Sequence, residues 1–389
     1  MSRLYTALAR LPLPVRRALK RLPGYNRARA GALGAPSLPA PPPGSLRPVV
    51  YLPTWLRWDV MRQRPQYVLQ DFVDRGHPVY FVDPREPTER VAGGVVITPS
   101  VAGTPADGVI LYVHFAPAMG AAPGYRDPVV YYDITDDLTA FADVEGEDPP
   151  RFVLDAHRFL IESADVVSAA GRGLAAHYRK ERGDLITALN GVDTARFASP
   201  MSRPSDMPGA DPDHPVAGYH GALAAWRFDF DLFAATAASL PEWRFVVIGP
   251  VDTRVADAAA RIEALPNVTL LGEKHADELP AYVRAFDVGT MWYPLNEVTA
   301  KALPMKLNEY LAAGVPAVAT SLPSMVDHPA VRLADDPAGF AAAIQAARAD
   351  AADPQWRRMA QDAVAGADWS QRLQPVMDRL DELTLRTVP

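Results

Sequence analysis

From residue 48 onward, short β-branched runs alternate with segments of helical period, and this alternation stops once and then restarts. The first series contains "VVYLP" (49–53), "PVYFV" (78–82), "GVVIT" (94–98), "VILYVHF" (109–115), "VVYYDI" (129–134), "DVVSAA" (165–170) and "LITAL" (185–189), with helices expected over 62–75 and 150–163. Residues 198–214, rich in Pro, Ser and Asp, lack periodicity and read as a linker. The second series runs "PVAGYHG" (215–221), "RFVVIGP" (244–250), "NVTLLG" (267–272), "FDVGTMW" (286–292) and "PAVAT" (316–320), with helices near 229–239, 276–285 and 304–313, then helical segments from about 336. Strands alternating with helices argue for an α/β fold whose mostly parallel sheets are joined by crossover helices. At 389 residues the chain exceeds one ordinary core, so two Rossmann-like domains facing across a cleft are expected. The boundaries fall at 48–197 for the first domain, 198–214 for the linker and 215–370 for the second. A last helix, 371–389, is placed to pack back on the first domain.

Charge and composition remove several classes. The chain has no cysteine, which excludes thiol catalysis and cysteine-ligated zinc. The net charge is −7, yet residues 1–50 carry nine basic and no acidic residues, so the remainder is more acidic still. Such a body is a poor partner for nucleic acid, which needs clustered positive charge. Within the tail, 1–47, Leu4, Leu8, Leu11, Val15, Leu19 and Leu22 share one helical face, interrupted by Pro12 and Pro14. Residues 1–30 suit either an anionic membrane surface or a cap on the body. The Pro-rich stretch 36–48 follows as a semi-rigid spacer. A cytoplasmic location is expected, with peripheral attachment to the inner face of the membrane if the first reading holds.

Neither half carries G-x-G-x-x-G after its first strand, and no P-loop occurs. Ligands then belong at the carboxyl ends of the strands, where helix N-termini collect anions. In "TAKALPMKLNEYLAAGVPAVATS" (299–321), Pro304 suits the first helical position and Gly314 the stop. Lys301 and Lys306 near that N-terminus would oppose the helix dipole unless an anion such as a diphosphate is bound. Glu309 follows Lys306 by three residues, and is either an ion-pair partner or an acceptor for sugar hydroxyls. In the first domain, Arg62, Gln63 and Arg64 follow the first strand and precede a helix. They suit either an anionic acceptor group or bonds to neighbouring carboxylates. Asp133, Asp136 and Asp137 end "VVYYDI" and suit sugar hydroxyls, a divalent cation or a helix cap, with Asp136 the favoured cleft residue. His114 ends "VILYVHF" and either reaches the same cleft or is structural.

Read in order, "ESADVVSAAGRGLAAHY" (162–178), "ALNGVDTARF" (188–197), "GYHGALAAWRFDFDLF" (218–233), "RFVVIGP", "NVTLLGEKHADELPAYVRAFDVGTMWYP" (267–294) and "PMKLNEYLAAGVPAVAT" (304–320) resemble the glycosyltransferase group 1 family, also called family 4 glycosyltransferases, of GT-B fold. "RQRPQYVLQDFVDRGHPVYFVDP" (62–84) and "YYDITDDLTAF" (132–142) look like a bacterial branch concerned with cell-surface polysaccharides. The resemblance implies sugar transfer from a UDP- or GDP-linked donor to a glycan or lipid-linked acceptor, retaining and without a metal or other cofactor. It implies a donor site over Gly221, Arg227, Gly249, Leu271, Thr299, Lys301, Lys306 and Glu309, and an acceptor site over Arg62, Gln63, Arg64, His114 and Asp133. Asp136, Arg227, Lys306 and Glu309 are the implied catalytic set. Glu309 matches the second glutamate of the family's E-x7-E pattern, whereas Lys301 stands where the first belongs. Arg227 stands for the lysine of its G-R-x-x-x-x-K signature, and Ala222 for the arginine. An epimerase acting on nucleotide sugars and a non-catalytic sugar-nucleotide scaffold are the rival readings.

Overall fold

The computed structural model describes residues 35–42, 44–59, 62–122, 124–140, 150–208 and 213–385. The expected amphipathic segment over 1–30 lies outside them, as does most of the tail. Eight strands form the first sheet: β1 (Val49–Tyr51), β2 (Val79–Val82), β3 (Arg90–Ala92), β4 (Val95–Thr98), β5 (Ile110–Val113), β6 (Val129–Ile134), β7 (Val166–Ala169) and β8 (Ile186–Thr187). Their order is β3-β4-β2-β1-β5-β6-β7-β8, and every pairing is parallel except β3 with β4. The second sheet holds β9 (Val216–His220), β10 (Arg244–Ile248), β11 (Val268–Gly272), β12 (Val288–Met291), β13 (Ala317–Ala319) and β14 (Val331–Leu333) in the order β11-β10-β9-β12-β13-β14, all parallel.

The chain reverses its direction of travel across each sheet once, between β1 and β5 in the first and between β9 and β12 in the second. Loops diverge at such a point and leave a crevice beyond the strand ends. Each crevice therefore lies at the carboxyl ends of its strands.

Eleven helices are described: α1 (Arg64–Asp74), α2 (Arg151–Ser163), α3 (Arg172–Tyr178), α4 (Thr194–Ala198), α5 (Phe230–Ser239), α6 (Ala256–Glu263), α7 (Leu279–Val283), α8 (Met305–Ala312), α9 (Pro337–Asp350), α10 (Pro354–Val364) and α11 (Trp369–Leu385). The expected helix over 276–285 shrinks to α7, with Glu278 at its N-cap and Pro280 in its first turn. Pro304 is the N-cap of α8 rather than its first helical residue. The edge strands β3 and β14 and the helix α6 have no counterpart in the sequence reading.

Strands of both sheets read as unbroken apolar runs because both faces are covered. Glycines inside β9 and β12 admit large rings from the covering layer. A Cβ on Gly218 would fall 2.2 Å from the Phe286 ring, and one on Gly289 would fall 2.5 Å from the Tyr310 ring. Full burial of such a ring contributes roughly 1.5–3 kcal/mol, which a side chain at the glycine would forfeit.

The chain passes between the domains at two places that lie side by side. Val192 bridges Asp368, and the Thr194 hydroxyl donates to the Asp368 carboxylate at 2.7 Å. Beyond this point α11 packs on the first sheet, its Trp369, Leu373, Val376, Met377 and Leu380 joining the core around Val49, Tyr51, Val68 and Phe72. Trp369 stacks on Tyr67 with ring centroids 4.8 Å apart. The described part of the expected linker does not hang between the domains. Met207 is buried in the second domain's core, and Asp206 accepts from Tyr282 at 2.7 Å and pairs with Lys274.

Candidate active site

The second domain builds its half of the site from the loop after β9 and the start of α8. Gly221 (φ 138°) and Gly249 (φ 144°) follow β9 and β10 in backbone conformations that side-chain-bearing residues rarely adopt. The two loops touch: a Cβ on Gly249 would lie 2.1 Å from the Gly221 carbonyl oxygen. Gly221 is bare for a second reason, since a Cβ there would stand 3.1 Å from Lys306 Nζ.

Lys306 enters from the first turn of α8 and is 7% exposed. Its Nζ donates to Tyr293 Oη at 2.9 Å and lies 4.8 Å from the centre of the Tyr219 ring. Burial works against this ammonium, but the Tyr219 and Tyr293 hydroxyls outweigh it and its pKa is raised. Among the described residues no carboxylate pairs with it. Arg227, close enough for its charge to act on Lys306, stacks over Trp226 at 4.4 Å and leaves its Nε buried without a partner. Two like charges, glycine backbone and a helix N-terminus thus meet at one place. An anion satisfies all of them together.

Glu309 does not pair with Lys306. It is buried with its Oε2 3.2 Å from His220 Nε2, in an orientation too poorly aligned for a hydrogen bond. Its charge also reaches Tyr67 of the first domain. Of the ion pair and the sugar-hydroxyl acceptor weighed from sequence, the pair is absent. Leu271 sits half-buried on β11 against the second domain's core.

Two donor-site candidates are bonded to protein groups. The Thr299 hydroxyl donates to the Pro294 carbonyl at 2.6 Å and accepts from the Asn296 N–H, so the loop itself consumes it. Lys301 turns to the first domain, where its Nζ meets Asp137 Oδ2 at 2.6 Å. The single turn that carries it, Thr299–Lys301, rests on α3 so closely that a Cβ on Gly173 would lie 3.2 Å from Lys301 Cα.

The first domain separates the three aspartates by environment. Asp133 is fully buried and accepts from Arg64 Nε (2.7 Å), Arg64 Nη2 (3.0 Å), Ser168 Oγ (2.6 Å) and Tyr112 Oη (3.0 Å). Every acceptor direction of that carboxylate is filled, and Arg64 is likewise buried. Both side chains are engaged by the protein itself, the alternative weighed for Arg64. Burial works against Asp137 ionising, but bonds from Lys301 and Thr139 prevail and hold its pKa at about 2. Asp136 is the half-buried one, bonded only to its neighbour Thr135 Oγ1 at 3.3 Å. Burial raises its pKa, and the Arg227 charge across the cleft partly offsets that rise.

The remaining acceptor candidates are also engaged. Gln63 is the N-cap of α1, its N–H donating to Gln66 Oε1 at 2.9 Å. Arg62 lies 3.9 Å from Asp277 of the second domain. Bonds to protein groups, the alternative weighed for these residues, describe them better than acceptor contacts. His114 stands at the β5 end of the first crevice, its Nδ1 2.6 Å from Tyr51 Oη, and burial lowers its pKa to about 4. It is therefore neutral at neutral pH, stacked on Tyr51 with the exposed Trp55 tilted against it.

Sequence reasoning passed over Tyr219, His220 and Tyr293, which shape the lysine and glutamate environments, and Asn190. Asn190 Nδ2 donates to the Leu303 carbonyl at 2.8 Å, while its Oδ1 accepts from Arg64. It thereby ties the first domain to the approach of α8. "NGVD" was the available signal.

Residues 214–350 match the family model described as glycosyl transferases group 1. A Bacillus subtilis protein named as a teichuronic acid biosynthesis glycosyltransferase, TuaH, is 26% identical over 261 residues, covering 64% of this chain and 66% of the relative, just under two thirds of its length. Among solved structures, a sucrose-phosphate synthase from Thermosynechococcus elongatus superposes with a TM-score of 0.65 at 15% identity, over 88% of this chain and 100% of that one. Anabaena HepE, solved with UDP and glucose, gives 0.59 at 13% identity, over 86% and 100%. These structural likenesses concern the fold. The match to the group 1 glycosyl transferases thus lies on the second domain, and the chain as a whole has the GT-B fold of these enzymes.

Proposed function

We propose that this chain is a glycosyltransferase that holds the diphosphate of a UDP- or GDP-linked sugar between the Gly221 loop, Lys306, Arg227 and the N-terminus of α8, and passes the sugar to a glycan or lipid-linked acceptor in the crevice of the first domain. One observation carries the reading: a buried ammonium at Lys306, paired with no carboxylate among the described residues, lies against a bare glycine and beside a second cation. Burying a cation is costly, and an arriving anion offsets that cost. Catalysis then consists of orientation and of stabilising charge on the departing diphosphate. The bond from the anomeric carbon to the β-phosphate oxygen breaks, and the acceptor hydroxyl oxygen forms the new bond. The acceptor proton passes to the leaving diphosphate, with retention at the anomeric carbon. Lys306 and Arg227 meet the developing charge, in this reading without a metal ion, and Asp136 orients the acceptor.

A role in cell-surface polysaccharide synthesis is supported by the name of the Bacillus subtilis relative. No helix among the described residues is long and apolar enough to cross a membrane. Attachment through residues 1–30 to the inner membrane face belongs to the same proposal. Titrating UDP and GDP against the wild type and Lys306→Met tests the donor site. Submicromolar to micromolar binding of one nucleotide to the wild type, weakened at least tenfold in the variant, is expected, since hydrogen bonds to charged groups contribute about 1.5–3 kcal/mol. Equal affinity in both proteins would remove the reading. Donor consumption without any acceptor would instead favour the epimerase.

A further inference from the structure

We infer that a second oxyanion site, for a phosphate or sugar carboxylate, occupies a cavity of about 490 Å3 lined by Arg172, Arg179, Thr187, Gln371 and Arg372. None of the residues assigned to the donor site lines it. Arg172 comes from the start of α3, Arg179 from just past its end, and Arg372 from the first turn of α11. The cavity thus sits at the return crossing, between the first domain and the segment that brings the chain back to it.

The charges here are unbalanced. Among the described residues no carboxylate pairs with any of the three arginines. Arg179 is partly engaged, with Nε donating to the Leu185 carbonyl at 3.2 Å and Nη2 to Thr187 Oγ1 at 2.7 Å. Arg372 Nε is buried with no partner at all. Burial, and then the charge of Arg172, press its pKa below the ordinary arginine value. Guanidinium groups have forked donors that match carboxylate and phosphate oxygens, and they hold their charge under almost any condition. Arg172 and Arg179 are exposed and Arg372 is half-buried, so their like charges repel across a partly solvated gap, and a bound oxyanion offsets that repulsion.

Size and position narrow the ligand. The volume lies within the range of small-molecule sites and exceeds what one inorganic phosphate fills. The ligand is then a larger molecule carrying the anionic group, and resting on the transferase reading, that molecule is an acceptor with a phosphate or uronate. The start of α3 abuts the Lys301 turn of the second domain, so a ligand here lies beside the interdomain contact.

Thermal melting of the full chain tests this, with NaCl holding ionic strength constant and with the series repeated in saturating UDP. The probes are inorganic phosphate, glucuronate and, as a neutral control, glucose. The wild type should gain several degrees from an oxyanion and nothing from glucose, and Arg172→Gln/Arg372→Gln should lose most of that gain. Without anion the double variant should melt no lower than the wild type, because a repulsion has been removed. Protection by glucuronate as well as phosphate assigns the site to a sugar-borne carboxylate, whereas protection by phosphate alone assigns it to a phosphoryl group. Equal protection of wild type and double variant, or none from either anion, overturns the inference. The UDP shift should be the same in both proteins. Its absence from the wild type would strike the donor reading and leave the oxyanion result standing.

Discussion

Lys306 Nζ donates to Tyr293 Oη at 2.9 Å beneath the Gly221 loop, and among the described residues no carboxylate balances it. Burial works against this ammonium, but the Tyr219 and Tyr293 hydroxyls hold it in the folded protein and raise its pKa. Lys306→Met, which exchanges that support for relief of the burial cost, should leave the nucleotide-free melting temperature within a few degrees of the wild type, a change of about 1 kcal/mol. The stabilisation by saturating nucleoside diphosphate should vanish from the same variant. Differential scanning fluorimetry with and without nucleotide reads both, and a large drop in the nucleotide-free value would make Lys306 a structural residue instead.

Burial raises the pKa of Asp136. An acid whose folded pKa lies above its unfolded value binds its proton more tightly when folded, so stability rises as pH falls through that folded pKa. Above it, the ionised group opposes folding. Asp136→Asn should accordingly be as stable as the wild type, or more so, at pH 7. If Asp136 orients the acceptor, kcat should fall at least about 100-fold with nucleotide affinity preserved. A variant with near-normal kcat would take Asp136 out of the chemistry.

Much of the architecture was legible because its causes are local. Parallel strands covered on both faces leave unbroken apolar runs, and α8 ends where Gly314 adopts φ 73° and the Val315 N–H returns to the Tyr310 carbonyl at 2.9 Å. The Gly221–Lys306 juxtaposition was half legible: the glycine loop and the lysine each left a trace, but their contact spans 85 residues and depends on packing. The trio Asp133, Asp136 and Asp137 was partly legible for a related reason. Adjacent positions on one strand end enter different surroundings, and the partners that distinguish them, Arg64, Ser168 and Lys301, come from three distant segments. Lys301 shows the limit most clearly, since its motif position suggested the donor while its side chain crosses to the other domain.

That crossing carries a pH dependence. Asp137 is held at about 2 against an ordinary 3.8 by Lys301 and Thr139, which overcome its burial. A carboxyl whose folded pKa is depressed contributes stability fully above its unfolded pKa and loses it as pH falls through the folded one. The window here is about pH 4 down to about pH 2, and the contribution is on the order of 2 kcal/mol. Asp137→Asn should melt lower than the wild type at pH 7, and the difference should shrink over that window. A difference that stays constant down to pH 2 would mean that the Lys301 contact contributes nothing.

Gly249 admits no side chain. Its φ of 144° and the 2.1 Å separation of a notional Cβ from the Gly221 carbonyl oxygen mean that backbone must move. Gly249→Ala should cost about 1–3 kcal/mol in stability from strain and overpacking. By displacing the Gly221 loop it should also weaken nucleotide binding. Calorimetric titration at a temperature where the variant is folded separates the two effects, and unchanged affinity would show that the loop shift does not reach Lys306.

Asp133 offers the sharpest contrast with its neighbour Asp136. It sits at the centre of four hydrogen bonds and a buried ion pair with Arg64, which itself reaches Asn190 and lies 5.8 Å from the Trp369 ring. Asp133→Asn preserves shape but removes the charge and turns one oxygen into a donor facing donors, leaving a buried guanidinium uncompensated. Breaking one side of such a pair costs about 3–5 kcal/mol. The cost should fall on folding, with kcat and nucleotide affinity of the folded fraction within about threefold of wild type, since Asp133 is placed to touch neither substrate. Chemical denaturation measures the first quantity and kinetics normalised to folded protein the second. A stable variant with a selective loss of acceptor use would return Asp133 to the acceptor site.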